Sequence, residues 1–320
     1  MTDTAQVASR KRKCEDSDEL RQVLDIDIKT KTASGDANRR KLPKLKSAPK
    51  EIERDVMKQG SKFIIATDET GVGSLAGPLC VCAVHVPLEV DHEGVRDSKS
   101  FQSDALKSRR DDVFNALNND TRVKKQIVFL DHEYVDQHNN LQTRLDGMTK
   151  SVEQLIEAEN VLSRYKKEDI VVLIDGNRGP KELTDKYDCR LIVKGDTKSY
   201  AIGAASIFAK VVRDRYMTQM HKVFPEYNWV INKGYPSDNG RHMRIVSSIG
   251  NSPFHRKTFH PCKTMGLSVH AKEWLKTNKI SDKEYNFDGF ETTFKGAVPA
   301  SRLDKNAREP QQPKVDSCWW

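Results

Sequence analysis

Two adjacent carboxylates, Asp68 and Glu69, follow an apolar run and give the first indication of chemistry in this chain. The run Phe63 to Ala66 contains an aromatic residue, two isoleucines and an alanine, a composition typical of a central strand. An ionised acid beside a core is costly unless a partner compensates its charge. The pair therefore predicts a bound cation, although a strand that simply ends in solvated acids gives the same pattern.

Two further aspartates stand at the ends of later apolar runs. Asp175 follows residues 170–174, and Asp196 follows residues 191–193. Parallel strands deliver their C-terminal residues to the sheet edge where ligands collect, so Asp175 is expected to lie at such an edge. Asp196 could instead be no more than a favourable charge near the start of a helix. If all of these acids converge, they cannot all stay ionised without divalent metal.

A cation site of this kind suits phosphodiester hydrolysis. Two hard cations about 4 Å apart activate a water and stabilise the leaving oxygen. A nucleotide-binding loop is disfavoured, because Gly71, Gly73 and Gly77 do not fit GxGxxG and no Lys-Ser/Thr follows them. The glycines instead predict a turn into an antiparallel return strand.

Basic and aromatic residues are interleaved in the second half of the chain. They occur in Lys233-Gly-Tyr-Pro236 and in the stretch 252–259, which contains His255 and Arg256. Cations neutralise phosphates and flat rings stack on sugars or bases, so this composition predicts a nucleic-acid groove. A surface loop with core aromatics is the alternative.

Alternating strands and helices must position these residues, and the alternation predicts an α/β fold. Lys99 lies in a polar loop before the first long helix, where it could meet a phosphate or be an ordinary loop lysine. Strands are expected at residues 63–66, 79–86, 123–130, 170–174 and 191–193, and helices at residues 103–118, 140–165, 200–220 and 269–275.

Length and composition limit the class of protein. The 320 residues, 37% of them hydrophobic, can bury one core of about 200 residues. No apolar segment reaches the roughly 20 residues that span a bilayer, so no membrane partner is expected. The formal charge of +8 fits a polyanionic partner without requiring one. The six cysteines form no CxxC pair, which favours reduced intracellular thiols and makes a zinc site at Cys262 a weak hypothesis.

Several motifs, spaced in one order from about Phe63 to Leu267, give the chain a specific resemblance to ribonuclease HII, the type 2 ribonuclease H family. The motifs are TDETGVGSLAGP, RDSKS, VVLIDGNRGP, IVKGDTKSYAIGAASIFAKVVRDRYM, NKGYPS and SPFHRKTF. The resemblance implies a ribonuclease H-like mixed sheet with flanking helices and a helical C-terminal region. It also implies hydrolysis of the RNA strand of RNA/DNA hybrids. Duplex DNA would be nicked 5′ of embedded ribonucleotides with Mg²⁺ or Mn²⁺, leaving 3′-hydroxyl and 5′-phosphate ends.

The resemblance assigns roles residue by residue. The acids that match the catalytic, metal-binding set of the family are Asp68, Glu69, Asp175 and Asp196. Lys99 matches the lysine of the Asp-Ser-Lys loop, which faces the cleaved phosphate.

The substrate contacts implied by the family lie in three places. Tyr235, in the motif that begins with Lys233, matches the tyrosine that stacks on the sugar after the ribonucleotide. His255 and Arg256 match a basic pair near the nucleic-acid backbone. The third place is the loop Gly71-Val72-Gly73, which corresponds to the element that reads the ribose 2′-hydroxyl.

Val72 is a departure, because the family usually has Gly-Arg-Gly at this loop. If the loop acts through backbone groups, valine preserves its contacts; if the arginine binds a phosphate, binding should weaken. Val72 does not exclude catalysis, but it leaves the preference for a single ribonucleotide over long hybrids open.

The resemblance divides the chain into a disordered basic leader at 1–60, a catalytic domain at 61–267 and an extension at 268–320 that is largely disordered at its end. The basic clusters at 10–13 and 39–46 resemble nuclear-import or nucleic-acid patches, and an ordinary solvated tail is equally compatible with them. We expect a nuclear protein, with the mitochondrion left open.

Three hypotheses follow. The first is an endoribonuclease that acts in RNA primer removal and ribonucleotide excision. Since the motifs follow the single-chain form of the family, it should be active as a monomer. The second is a catalytically weak RNA/DNA hybrid-binding protein, suggested by Val72 and the basic leader. The third is another nuclease of the same broad fold, such as a junction resolvase.

Overall fold

A mixed β-sheet forms the centre of the computed structural model, which describes residues 45–101, 104–236, 240–277 and 297–299. The strand order is β5-β4-β1-β2-β3-β6. The strands are β1 (Phe63–Thr70), β2 (Leu79–His85), β3 (Lys124–Leu130), β4 (Ile170–Asp175), β5 (Asp188–Ile192) and β6 (Ala297–Pro299). The helices are α1 (Glu51–Lys58), α2 (Asp104–Asn119), α3 (His132–Ala158), α4 (Lys181–Thr184), α5 (Gly195–Lys198), α6 (Tyr200–Val223), α7 (Trp229–Asn232), α8 (Arg241–Ile249) and α9 (Val269–Thr277). The predicted α/β class with flanking helices is confirmed.

The central strand β1 fixes where the acids lie. Its first six residues are buried, as expected for a strand covered on both faces. It pairs antiparallel with β2 and parallel with β4, with Thr67 opposite Ile174. Because β1 and β4 run in the same direction, Asp68 and Asp175 emerge at the same end of the sheet.

Helices cover the sheet on both faces. Helix α3 packs on β1, β2 and β3, and helix α6 packs on β1 and β2. Alternate strand residues such as Phe63 and Ile65 share one buried cluster with Met148 and Val152 of α3. Gly147 permits the close approach of this helix, since a Cβ there would lie 2.5 Å from a Val81 methyl group.

Some boundaries differ from the predicted ones. Helix α3 begins at His132 rather than near residue 140. Asp131 accepts a hydrogen bond from the Tyr134 N–H and so caps helical turns that lie ahead of the predicted start. Asn139, with φ of 59°, kinks the helix at the point where the sequence pattern begins. Strand β5 lies at 188–192 rather than 191–193.

The ends of the chain complete the description. Residues 45–60, expected to belong to a disordered leader, are folded and include α1. The cluster at 10–13 and most of the cluster at 39–46 lie outside the described residues, as does most of the extension after Thr277. Within the part of the chain that is described, no helix is long and apolar enough to cross a membrane.

Candidate active site

The acids highlighted by the sequence meet at one end of the sheet. Asp68 and Glu69 lie on β1, Asp175 ends β4, and Asp196 lies in the short helix α5 between β5 and α6. The Asp175 Oδ1 accepts a 2.7 Å hydrogen bond from the Gly195 N–H, which joins the end of β4 to the turn that carries Asp196. The Asp68 Oδ1 accepts one of the same length from the Glu69 N–H.

Burial and mutual repulsion shift the pKa values of Asp68, Glu69 and Asp196 upward. Asp68 is 5% exposed, and burial raises its pKa well above the usual range, with further increases from Glu69, Asp175 and Asp196. Burial raises the pKa of Glu69 to about 7 and that of Asp196 to about 6, and the negative charge of Asp175 adds to both shifts. The acids therefore act on one another as a single cluster, which needs positive charge before it can ionise fully.

The donor set fits a hard divalent cation. Carboxylate oxygens are the ligands that Mg²⁺ and Mn²⁺ prefer, and the Glu69 Oε2 is buried without a hydrogen-bond partner. Among the described residues, however, no three His, Cys, Asp or Glu side chains stand close enough to hold one ion as they are placed. Carboxylates gathered at one end of a sheet repel one another, and a divalent cation would offset that repulsion.

Arg144 is a site residue that sequence reasoning missed. It lies on α3, with its Nε 3.1 Å from the Glu69 Oε1, and its Nη2 donates a 2.9 Å hydrogen bond to the Asp175 carbonyl. Its positive charge opposes the upward shift in the pKa of Glu69. Nothing in the sequence separates this arginine from other basic residues of the predicted helix, because only the folded chain brings α3 to the end of β4.

Lys99 faces the acid cluster. It lies in a 3-10 turn at Ser98–Ser100, where the Asp97 Oδ1 accepts a 2.8 Å hydrogen bond from the Lys99 N–H. Partial burial lowers its pKa, but the carboxylates, Asp196 foremost, outweigh that effect and raise it. Ser206 of α6 donates a 3.0 Å hydrogen bond to the Ser98 hydroxyl, which ties the turn to the core.

Tyr235 is anchored to the glycine loop. Its hydroxyl accepts a 2.9 Å hydrogen bond from the Gly71 N–H. The guanidinium of Arg213 lies 5.0 Å from the ring centroid and the ammonium of Lys210 lies 5.4 Å from it. Burial raises the pKa of Tyr235, but these two cations outweigh it and lower the pKa overall. Lys233 is turned toward α6, where its Nζ donates a 2.8 Å hydrogen bond to the Thr218 hydroxyl.

His255 and Arg256 lie elsewhere than the sequence analysis expected. Both side chains are 0% exposed, so neither can contact a nucleic-acid backbone in this arrangement. Arg256 donates hydrogen bonds of 2.6 Å to the Gly71 carbonyl and 2.7 Å to the Val72 carbonyl, and burial lowers its pKa to about 9. The expectation for Arg256 is corrected: it fixes the shape of the glycine loop from the buried side. Its guanidinium group donates its hydrogen bonds to carbonyl groups of the loop.

His255 belongs to a buried histidine pair. The Trp229 Nε1–H can only donate, so the His242 Nε2 at 3.2 Å accepts, and His242 carries its proton on Nδ1 toward the Tyr235 carbonyl. The His255 Nδ1 accepts from the Ser252 N–H, and the His255 Nε2 lies 3.2 Å from the His242 Nε2. Burial lowers the pKa of both histidines, so both stay neutral.

Comparisons with known proteins give one consistent result. The family model for ribonuclease HII matches residues 65–262. A ribonuclease HII from Listeria innocua is 34% identical over 225 residues, which cover 69% of this chain and 77% of that protein. One from Geobacter sulfurreducens is 35% identical over 223 residues, 70% of this chain and 91% of that protein. Among solved structures, ribonuclease H2 from Pyrococcus horikoshii is 21% identical, covers 67% of this chain and all of its own, and has a TM-score of 0.44.

Proposed function

Because the chain belongs to the ribonuclease HII family, we propose that it is an endoribonuclease that hydrolyses the RNA strand of RNA/DNA hybrids and nicks DNA duplexes 5′ of embedded ribonucleotides. The observation that supports this activity best is the convergence of Asp68, Glu69, Asp175 and Asp196 at one end of the sheet. All of these residues lie inside the matched region, 65–262.

The carboxylates would hold Mg²⁺ or Mn²⁺. Once bound, a pair of such ions activates a water molecule and stabilises the leaving oxygen of the phosphodiester. Arg144 holds the Glu69 carboxylate and the end of β4 in place. Lys99, which faces the cluster from the opposite loop, would neutralise the phosphate that is cleaved.

The glycine loop would recognise the ribose through its backbone. The Val72 side chain packs against the hydrophobic core rather than standing free, while Gly73 is exposed. Arg256 holds the loop carbonyls and Tyr235 holds the Gly71 N–H, so the backbone is preorganised before substrate arrives. The loop is thus held in shape without an arginine at position 72, and recognition of a 2′-hydroxyl would fall to the backbone groups that these contacts leave facing the substrate.

The cellular assignments are part of the same proposal. We expect the chain to act as a monomer in RNA primer removal and ribonucleotide excision. The nucleus is the favoured compartment, on the strength of the basic clusters at 10–13 and 39–46.

Cleavage of defined duplexes tests the activity. Wild-type protein, Asp68→Asn and Asp175→Asn are incubated with labelled duplexes that contain one ribonucleotide or a long RNA strand, with Mg²⁺ or Mn²⁺. Asp169→Asn is the matched control, because Asp169 pairs with Lys62 just before β4, at the end of the strand opposite Asp175. We expect both site variants to lose cleavage and keep duplex binding, while the control cleaves normally.

The same assay separates the competing functions. Unchanged cleavage by either site variant would exclude this cluster as the catalytic site. Hybrid binding by the wild type with no product in either ion would favour the hybrid-binding protein. Cleavage of four-way DNA junctions that does not depend on ribonucleotides would favour a resolvase.

A further inference from the structure

Residues 47–58, which we name the N-terminal brace, precede the matched region 65–262 and carry two buried charged side chains. Lys50 is 9% exposed and Glu53 is 2% exposed. Lysine and glutamate are almost never fully buried unless they are paired, so each of these charges needs a structural reason. Each proves to hold a different loop of the candidate active site.

Lys50 holds the loop that leads to Lys99. Its Nζ donates hydrogen bonds of 2.6 Å to the Val90 carbonyl and 3.1 Å to the Leu88 carbonyl. Two residues earlier in the brace, the Ala48 N–H donates a 2.7 Å bond to the Val95 carbonyl. This side of the brace therefore fixes residues 88–95 directly ahead of the turn that presents Lys99.

Glu53 holds the turn that carries Asp196. Its Oε1 accepts a 2.6 Å hydrogen bond from the Ser199 hydroxyl and a 2.9 Å bond from the Ala201 N–H, at the N-terminus of α6. A carboxylate at this position satisfies a free N–H group and complements the helix dipole. The Ser199 N–H in turn donates a 2.8 Å bond to the Gly195 carbonyl, one residue before Asp196.

The loop at residues 88–95 and the turn at residues 195–201 also contact each other. The brace and these two segments therefore all contact one another. The Tyr200 hydroxyl accepts a 2.6 Å hydrogen bond from the His92 N–H, and the Lys50 ammonium lies 4.4 Å from the tyrosine ring centroid. Gly203 of α6 lets this helix pack closely on the first loop, since a Cβ there would lie 3.1 Å from the Arg96 Cα. The two segments are therefore in direct contact.

We propose that the N-terminal brace sets the positions of Asp196 and Lys99 relative to each other, with Glu53 and Lys50 as positioning residues. The inference rests on the proposed function and deepens it by naming what holds two of its groups in place. Neither positioning residue reaches the acid cluster itself; each acts through the backbone of the loop that it binds.

Glu53→Gln in the full-length chain tests the proposal, because it keeps the shape of the side chain and removes its charge. Asp55→Asn is the matched control, since Asp55 lies on the same helix but makes only an exposed ion pair with Lys58. We expect the Mn²⁺ dissociation constant of Glu53→Gln to rise severalfold, less than the roughly 10- to 100-fold typical of direct hydrogen-bond partners of metal ligands, because Glu53 acts on Asp196 only through the backbone of the turn. Amide hydrogen exchange at residues 195–203 should quicken, and KM for the duplex should stay near the wild-type value while kcat falls.

The outcomes distinguish a brace from a general stabilising contact. If Glu53→Gln lowers only the unfolding midpoint and leaves Mn²⁺ affinity and exchange at 195–203 as in Asp55→Asn, the proposal is overturned. Lys50→Met supplies a second variant, for which the faster exchange should appear at residues 88–99. The exchange measurement needs no cleavage, so a wild-type chain that cuts nothing would refute the proposed function and still leave the brace open to test.

Discussion

Ion binding to the acid cluster should weaken steeply as pH falls from 8 to 5. In the metal-free chain, burial and neighbouring charge raise the pKa of Glu69 to about 7 and that of Asp196 to about 6. A carboxyl group must lose its proton before it can bind a cation. Ion binding below these raised pKa values is therefore accompanied by proton release, and its affinity falls with pH. Affinity is therefore close to full at pH 8 and is lost progressively as pH falls through the two pKa values.

The size of the effect follows from the two pKa values. At pH 5 a carboxyl with a pKa of about 7 is ionised in about 1% of molecules, and one with a pKa of about 6 in about 10%. Since the ion needs both groups ionised, these two values place the apparent affinity at pH 5 on the order of a thousandfold below its value at pH 8, or ~4 kcal/mol. The raised pKa of Asp68 acts in the same direction.

Isothermal titration calorimetry with Mn²⁺ measures this dependence directly. Titrations at several pH values, each in two buffers of different ionisation enthalpy, give both the affinity and the number of protons released. Arg144→Met is the informative variant. Losing the positive charge beside Glu69 should raise the pKa of this acid further, so the Mn²⁺ affinity should begin to fall at a higher pH than in the wild type.

An affinity that stays constant between pH 5 and 8, with no proton release, would refute this account of the site. It would mean that Glu69 and Asp196 are already ionised before the ion arrives. If the Mn²⁺ affinity of Arg144→Met falls over the same pH range as that of the wild type, Arg144 does not control the charge of Glu69.

Three further predictions concern single residues. Glu69→Gln should stabilise the metal-free chain at pH 8 by about 3 kcal/mol, because the folded state raises the pKa of this acid from its ordinary value of 4.5 to about 7; the gain should fade as pH drops toward 4.5, as measured by urea unfolding. Arg256→Met should cost roughly 3 kcal/mol of unfolding free energy, since it leaves the Gly71 and Val72 carbonyls without their buried donor, and it should raise KM for the duplex. Val72→Arg should leave the ratio of cleavage at a single ribonucleotide to cleavage of a long hybrid near its wild-type value, because the loop is proposed to act through its backbone; an increased ratio would show that a phosphate contact is missing from this chain.

Buried arginines give the substrate loop its rigidity. Arg256 binds the carbonyls of Gly71 and Val72, and Arg213 donates to the Pro78 and Ala76 carbonyls. Gly71 has φ of 96°, and a Cβ there would lie 2.4 Å from the Arg213 Nε, so the loop can follow this path only with glycine. The guanidinium groups thus fix the shape of the substrate loop from its buried side and do not line its exposed surface.

The sequence by itself determined the central strands β1 and β4 and the acids at their ends. Burial on both faces of β1 demands continuous apolar residues, and a break of that run by Asp68 and Glu69 is visible without coordinates. Asp175 follows from the same pattern on β4. These are local signals, because one strand and the residue after it carry all the information.

Only the tertiary structure decided which charges support the site and which could face a substrate. Arg256 and His255 have the composition of a nucleic-acid contact, yet packing buries both, and Arg256 meets Gly71 across 185 positions of sequence. Glu53 meets Ala201 across 148 positions, from a stretch whose composition predicted disorder. A side chain's type states what it can bind, but its partner depends on which distant backbone the fold brings within hydrogen-bond distance, and no local pattern encodes that.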